Sequence, residues 1–182
     1  MLVTLNNVKK ENEYDWVQQF EQEGTKNTRI LEEQLESIAR ELTGIASLFQ
    51  ASKTITRLGF KAYTSSLLKK NNFVKSFQWI PRVQQDQRSA LESMAQKDGF
   101  INFKFTSLSK SSTIITAPKK NEYSPIYYME PNSGNESLLG FDISTQPDLL
   151  KLMNHARDSG EVVAANTVNL IHKDQKKMVA LF

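Results

Sequence analysis

The sequence predicts an α+β fold in which a long amphipathic helix leads into a strand-rich second half. Three observations carry that prediction. Leu31, Leu35, Ile38, Leu42, Ile45 and Phe49 recur at alternating spacings of four and three, a narrow apolar stripe along one side of a helix. Beyond Gly99 the period changes, and Ile101, Phe103 and Phe105 alternate with Asn102 and Lys104 as in a half-buried strand. Helices first and strands later, rather than strict alternation of the two, is the α+β pattern. At 182 residues, with 39 % apolar and 24 % charged residues, 7 Gly and 5 Pro, the chain can bury a core and is neither disordered nor collagen-like.

The first helix is expected from about Asn12 to Gln50, because Trp16, Val17 and Phe20 extend the stripe backward while Gly24 weakens it and Thr28 dilutes it. Straight, such a helix spans about 60 Å, so its first half is expected to project as a stalk. From Leu31 onward the stripe either joins a second helix in a dimerising, signal-carrying pair or docks on the chain's own sheet. Ala51 to Thr54 breaks the pattern, and Ile55, Leu58, Phe60, Tyr63, Leu67 and Leu68 make a second helix ending near Lys70. Val74 to Ile80 reads as a strand. Pro81 is expected to open a third helix, where its missing N–H is harmless, with Val83, Leu91, Met94 and Ala95 inward and Gly99 as the stop.

A strand over Ile101–Phe105 follows, then a Ser/Thr/Lys-rich stretch from Thr106 to Glu122 that reads as a mobile loop with a β-branched piece at Thr113–Thr116. Ile126–Met129 is another strand, closed by Glu130-Pro131 and a turn over Asn132–Asn135. Pro147 and Gly160 bracket a fourth helix. Val162–Ile171 and Met178–Phe182 are the last strands, joined by a polar hairpin at Lys173–Lys176.

Charge and motif content exclude several function classes. Zero cysteines remove disulfide frameworks, thiolate metal sites and cysteine nucleophiles, and the two histidines, His155 and His172, lie in no metal-ligand spacing, so neither a metal nor a cofactor is expected. There is no phosphate-cradling glycine loop and no nucleophile elbow. Asp142 and Asp148 flank a turn before a helix, where capping explains them better than acid–base catalysis, although an enzyme with an unfamiliar site there stays open. No apolar run is long enough to span a bilayer, and the N-terminus lacks the basic-then-apolar pattern of a signal peptide. The net charge of +3 is too balanced to indicate nucleic acid. Locally the signs separate. Glu11 to Glu41 holds nine acidic and three basic residues, whereas Lys53 to Arg88 holds eight basic residues and Asp86 alone. These segments are solvated faces, attract each other, or hold a protein partner, as a cytoplasmic scaffold or interaction module would.

Four stretches in register carry a family resemblance. Gln78-Trp79-Ile80-Pro81-Arg82-Val83 is followed by Arg88 and Leu91-Glu92, and then by Glu122-Tyr123-Ser124-Pro125-Ile126 with Tyr128. Glu130-Pro131, Gly134-Asn135-Glu136, Leu139-Gly140-Phe141-Asp142, Ser144 and Pro147 come next, and Ala156-Arg157-Asp158-Ser159-Gly160 closes the set. In this order, over about Leu31 to Phe182, they resemble the CHASE sensory domain. The resemblance implies a long N-terminal helix on a PAS-like mixed or antiparallel sheet, divided into a stalk at residues 1–50 and a distal sensor unit at residues 51–182. The membrane-proximal unit, transmembrane helices and output domain would then lie outside this sequence.

By the same resemblance the chain would face the periplasmic side of a bacterial inner membrane, within a membrane-anchored receptor. It would bind a small molecule, dimerise through its N-terminal helix, catalyse nothing, and signal to a histidine kinase or diguanylate cyclase. Plant relatives that bind cytokinins hold the adenine with an aspartate; counted back from Gly160, that position is Leu149 here, which points to a different small molecule or a peptide fragment. The family's pocket maps onto Ser137, Leu138, Phe141, Ile143, Ala165 and Ile171, with Tyr128, Asn135, Asp142 or Asn166 to supply polar contacts. Taken singly and without the family, Leu138, Phe141, Ile143 and Ile171 read first as ordinary core. Arg82, Arg88 and Arg157 are expected to pair with Glu92, Asp142 or Asp158.

Overall fold

A computed structural model of the chain describes residues 2–52, 54–109, 111, 113–168 and 177–181. The chain divides into two compact units, residues 1–44 and 45–182, and the division falls inside the first helix, α1 (Leu2–Ala51). This helix begins ten residues before the expected start and runs through Gly24 without a break. In the first unit the Thr25 and Thr28 hydroxyls donate to the carbonyls of Glu21 and Gly24, one turn back. Arg29–Glu33 and Glu36–Arg40 pairs add the few tenths of a kcal/mol expected of exposed i,i+4 contacts. Trp16, Val17, Phe20, Leu31 and Leu35 are exposed along it.

Within the second unit, Thr56 caps helix α2 (Arg57–Lys70), its hydroxyl accepting from the Gly59 N–H at 3.1 Å. Phe60, Thr64 and Leu67, spaced for one face, are buried. The Asn71 amide and backbone N–H both close the helix on the Leu67 carbonyl. The Phe49 ring stacks on Trp79 at 4.9 Å, and Phe60 meets Tyr128 at 5.6 Å, so the end of α1 and the inner face of α2 share one aromatic cluster.

The strands are very short: β1 (Phe77–Trp79), β2 (Val83–Gln84), β3 (Thr106–Leu108), β4 (Ile114–Thr116), β5 (Glu122–Tyr123), β6 (Tyr128–Glu130), β7 (Val163–Val168) and β8 (Lys177–Leu181). They pair antiparallel as β1–β6, β2–β5, β3–β4 and β7–β8. Backbone bonds outside the strands knit the first three ladders together. Gly140 donates to Ile126, Ile126 to Phe141 and Ile143 to Ser124 on one side, while Thr106 donates to Gly140 and Asp142 to Thr106 on the other. The segment 140–143 is thus hydrogen-bonded on both edges, flanked by 124–126 and by β3, and β4 lies outermost.

Two expectations are corrected here. Pro81 opens no helix: Val83, 1 % exposed, is buried in the β2–β5 pair opposite Tyr123, and helix α3 (Arg88–Lys97) begins only after a turn in which the Gln84 N–H donates to the Gln87 side chain. A proline that leads a helix also leads an extended segment, and burial of Val83 decides for the latter. Met94 accordingly faces out, at 54 % exposure, while Ala95 is buried. The second correction concerns 101–105, which is irregular; the strand lies at Thr106–Leu108. Phe103 and Phe105 are nonetheless buried, and Ile101 is exposed at 81 %. Thr106–Glu122, read as a loop with a β-branched piece, contains the β3–β4 hairpin and the first residue of β5.

Helix α4 (Pro147–Ser159) follows its two signals, with Pro147 at its start and Gly160 left-handed (φ 71°) at its end. Its Leu149 and Met153 pack on Ile126, Met129, Leu138, Phe141 and Ile143. Burying each such side chain contributes about 1.5–3 kcal/mol. The expected Lys173–Lys176 hairpin, Ile171 and Phe182 lie outside the described residues.

Candidate ligand-sensing site

Four of the residues singled out in the sequence come together. Leu138, from a 3-10 turn (Glu136–Leu138), Phe141 and Ile143, from the doubly bonded segment, and Leu149, from α4, form one buried apolar cluster, each 3 % exposed or less. Phe141 and Ile143 share a face because they are two apart in extended chain. The others go elsewhere. Ser137 is exposed. Tyr128 joins the aromatic cluster, 4.9 Å from Trp79, and its hydroxyl donates to the Ile55 carbonyl. Ala165 stands on β7 opposite Val179, with Asn166 next on that strand. The Asn135 amide donates to the Pro131 carbonyl.

Beside this cluster lies a polar network anchored by Asp142, fully buried. Its Oδ1 accepts from the Ser124 N–H at 2.9 Å, the Ser144 N–H at 3.2 Å and the Ser144 hydroxyl at 2.7 Å. The Lys120 ammonium makes an ion contact with Oδ2 and donates to the Ser144 hydroxyl at 2.6 Å. Asp142 thus caps the 3-10 turn Ile143–Thr145, as the capping reading expects, and ties it to the 124–126 segment. Asp148, exposed in the first turn of α4, stands apart from it.

The arginines sort differently from the sequence expectation. Arg88 pairs with Glu92 as anticipated, and the pair also grips the sheet: Arg88 donates to the Ala117 carbonyl at 2.9 Å, and Glu92 accepts from the Phe105 N–H at 2.9 Å. Arg157 pairs with Asp158 at the surface. Arg82 takes Glu122 rather than Asp142, which has Lys120. Burial penalises the Glu122 charge, yet the hydrogen bonds from Arg82 and Gln84 outweigh it and hold this carboxyl below its ordinary range.

Sequence reasoning missed Arg57. Its guanidinium lies 4.2 Å from the Phe100 ring centre and 4.7 Å from that of Tyr128, and it donates to the Tyr127 carbonyl at 2.8 Å. Asp98 lies 3.5 Å away. Burial lowers the Arg57 pKa, and the charges of Tyr128 and Asp98 oppose that.

Burial raises the Tyr127 hydroxyl to about 12, with Tyr128 adding to the effect. Because the folded value exceeds the unfolded one of about 10, the associated stability is intact below pH 10 and is lost as pH rises through 12. The loss is on the order of 2–3 kcal/mol. Denaturant midpoints measured at rising pH are expected to fall across that window, less steeply for Tyr127→Phe; parallel curves for the two proteins contradict the assignment.

The α+β unit thus sets a buried apolar cluster beside a buried carboxylate network. Residues 53–182, more than two thirds of the chain, match the family model described as the CHASE domain, and the chain belongs to that family. No curated protein matches it. CHASE domains are extracellular, non-catalytic sensory domains of receptors. Among the described residues, no helix is long and apolar enough to cross a membrane.

Proposed function

We propose that this chain is the extracytoplasmic ligand-sensing part of a membrane-bound receptor. It binds a small molecule at the Leu138–Phe141–Ile143–Leu149 face and signals through α1, within a homodimer formed along that helix, to a cytoplasmic histidine kinase or diguanylate cyclase. The observation that carries the reading is the convergence, inside the CHASE match, of these four apolar side chains between the 140–143 segment and α4. Sheet residues lie on one side of this face and a single short helix on the other, so in this reading a ligand enters by displacing α4. A ligand there shifts the receptor only by its differential affinity for two states, and a nearly complete switch needs about 5.5 kcal/mol. The exposed Trp16, Phe20, Leu31 and Leu35 supply apolar surface for the helix pair.

The test is a thermal-shift screen of the full chain over purines, amino acids and small carboxylates, followed by methyl NMR. A true ligand at about 100 times its Kd stabilises by about 2.7 kcal/mol and moves the Ile143 and Leu149 methyl resonances. Hits that leave those methyls unmoved remove the site, and a native gene encoding no membrane-crossing segment removes the receptor.

A further inference from the structure

The geometry points to the open edge of β4 as a docking strand for an extended acidic peptide segment. This inference uses none of the residues of the ligand face and stands whether or not that face binds a small molecule.

The backbone sets the edge. Ser109 donates to the Thr113 carbonyl and Ala117 to the Phe105 carbonyl, both at 2.8 Å, and Ser107 stands opposite Ile115. In an antiparallel ladder such positions alternate, so 113, 115 and 117 face β3 while Ile114 and Thr116 turn their N–H and C=O groups outward. Thr106 confirms the phase: directly opposite Thr116, it bonds Gly140 and Asp142 on the side away from β4. The outward groups of Ile114 and Thr116 meet no partner among the described residues.

The side chains leave this edge unprotected. Exposed edge strands are usually blunted by proline, a bulge or an inward charge. Here Ile114 and Ile115, on opposite faces, are 40 % and 45 % exposed, and Thr116 is exposed as well. The edge is also held in place, since Arg88 grips the Ala117 carbonyl and Glu92 the Phe105 N–H at the base of the hairpin. A strand ordered beforehand loses less entropy on binding.

Charge selects the occupant. Gly99 to Asn121 contains Lys104, Lys110, Lys119 and Lys120 and no carboxylate. Lys120 is committed to Asp142, but Lys104 and Lys119 are exposed and have no acidic partner among the described residues. A second copy paired edge to edge would bring lysines against lysines. An acidic segment in extended form satisfies the outward backbone groups, covers the two isoleucines and is attracted by the carboxylate-free, lysine-bearing stretch that carries the edge, which is strand addition with electrostatic selection.

The experiment uses the full chain and fluorescein-labelled peptides of about seven residues, one alternating Glu with Val and one alternating Lys with Val. Anisotropy is expected to show binding of the Glu peptide, with the Lys peptide at least about tenfold weaker, and hydrogen exchange to show protection of the Ile114 and Thr116 amides when the Glu peptide is bound. Thr116→Pro deletes one outward donor without touching the β3 ladder and is expected to weaken binding about tenfold, while Thr116→Ala, which keeps the N–H, is expected to bind like the parent. Equal binding of the two peptides, unchanged affinity in Thr116→Pro, or no protection at 114 and 116 in the parent chain overturns the proposal. So does a homodimer that Thr116→Pro dissociates. The protection measurement decides the matter even if the proline variant does not fold.

Discussion

Replacing Asp142 by alanine is expected to lower the unfolding free energy of the chain by about 3–5 kcal/mol, because it breaks a buried charge network on one side only. The carboxylate is fully buried and accepts from three donors in two segments, Ser124 and Ser144. Truncation leaves the Ser124 N–H without its acceptor and the Lys120 ammonium, about one third exposed, without its counter-charge. Asp142→Asn keeps an acceptor oxygen for Ser124 and Ser144 but loses the charge and replaces the oxygen facing Lys120 by an NH2 donor, so its loss is expected to be about half as large. Lys120→Met is expected to cost about 3 kcal/mol, at the lower end of the range for Asp142→Ala because the ammonium is about one third exposed, since it leaves the fully buried carboxylate without its counter-charge. Urea unfolding of the three variants at neutral pH gives the order directly. A loss below about 1 kcal/mol in Asp142→Ala would show that the buried carboxylate is not what ties 142–144 to the 124–126 segment.

This network shows where the sequence is legible and where it is not. Asp142 is recognisable as a cap because capping is local: the hydroxyl and N–H it holds are two residues away. Lys120, its counter-charge, lies 22 positions back in a stretch with no distinctive period, and the sequence offers three arginines with equal claim. Only the want of acidic residues from Gly99 to Asn121 marks that stretch, and the sign imbalance gives a surface character rather than a partner. The same contrast holds for the fold. Helix α4 announces both ends through Pro147 and Gly160, and α1 through its apolar spacing, since helices declare themselves over many residues. Strands of two or three residues do not. Phe103 and Phe105 are read correctly as inward-facing, but so short a run cannot tell a strand from the irregular chain leading into one. At the candidate site, Leu138, Phe141, Ile143 and Leu149 are found through family resemblance and apolar character, and the structure gathers them. Ser137 is turned to the surface by the 3-10 turn that carries it. Arg57 gives no sequence signal at all, because its partners Phe100, Tyr127 and Tyr128 are brought to it only by the tertiary fold.

Gly140→Ala is expected to destabilise the chain by at least about 3 kcal/mol, the sum of two separate penalties. The first is conformational. Gly140 has φ of +81°, where a side chain costs about 1–2 kcal/mol. The second is steric, and it explains why a glycine stands in the Leu139-Gly140-Phe141-Asp142 run. A Cβ at this position runs into the carbonyl oxygen of Lys104, a backbone atom that no rotamer change can move, and comes within 3.6 Å of the Phe103 ring. Nor can residue 140 retreat, since its N–H donates to Ile126 and its carbonyl accepts from Thr106, both at 2.9 Å, pinning it between two neighbouring segments. Relief therefore means breaking one of those bonds or shifting Lys104 and, with it, Phe103 and Phe105 in the core. Gly134→Ala is the matched control: the same φ of +81° with nothing within 4 Å of the added carbon. It incurs the conformational penalty alone, so its loss is expected near 1 kcal/mol. Denaturant unfolding of the two variants side by side separates the terms, and the excess in Gly140→Ala measures how closely the 104 and 140 backbones are packed. Equal losses would mean that backbone conformation alone selects glycine at position 140 and that the sheet yields there to admit a methyl group.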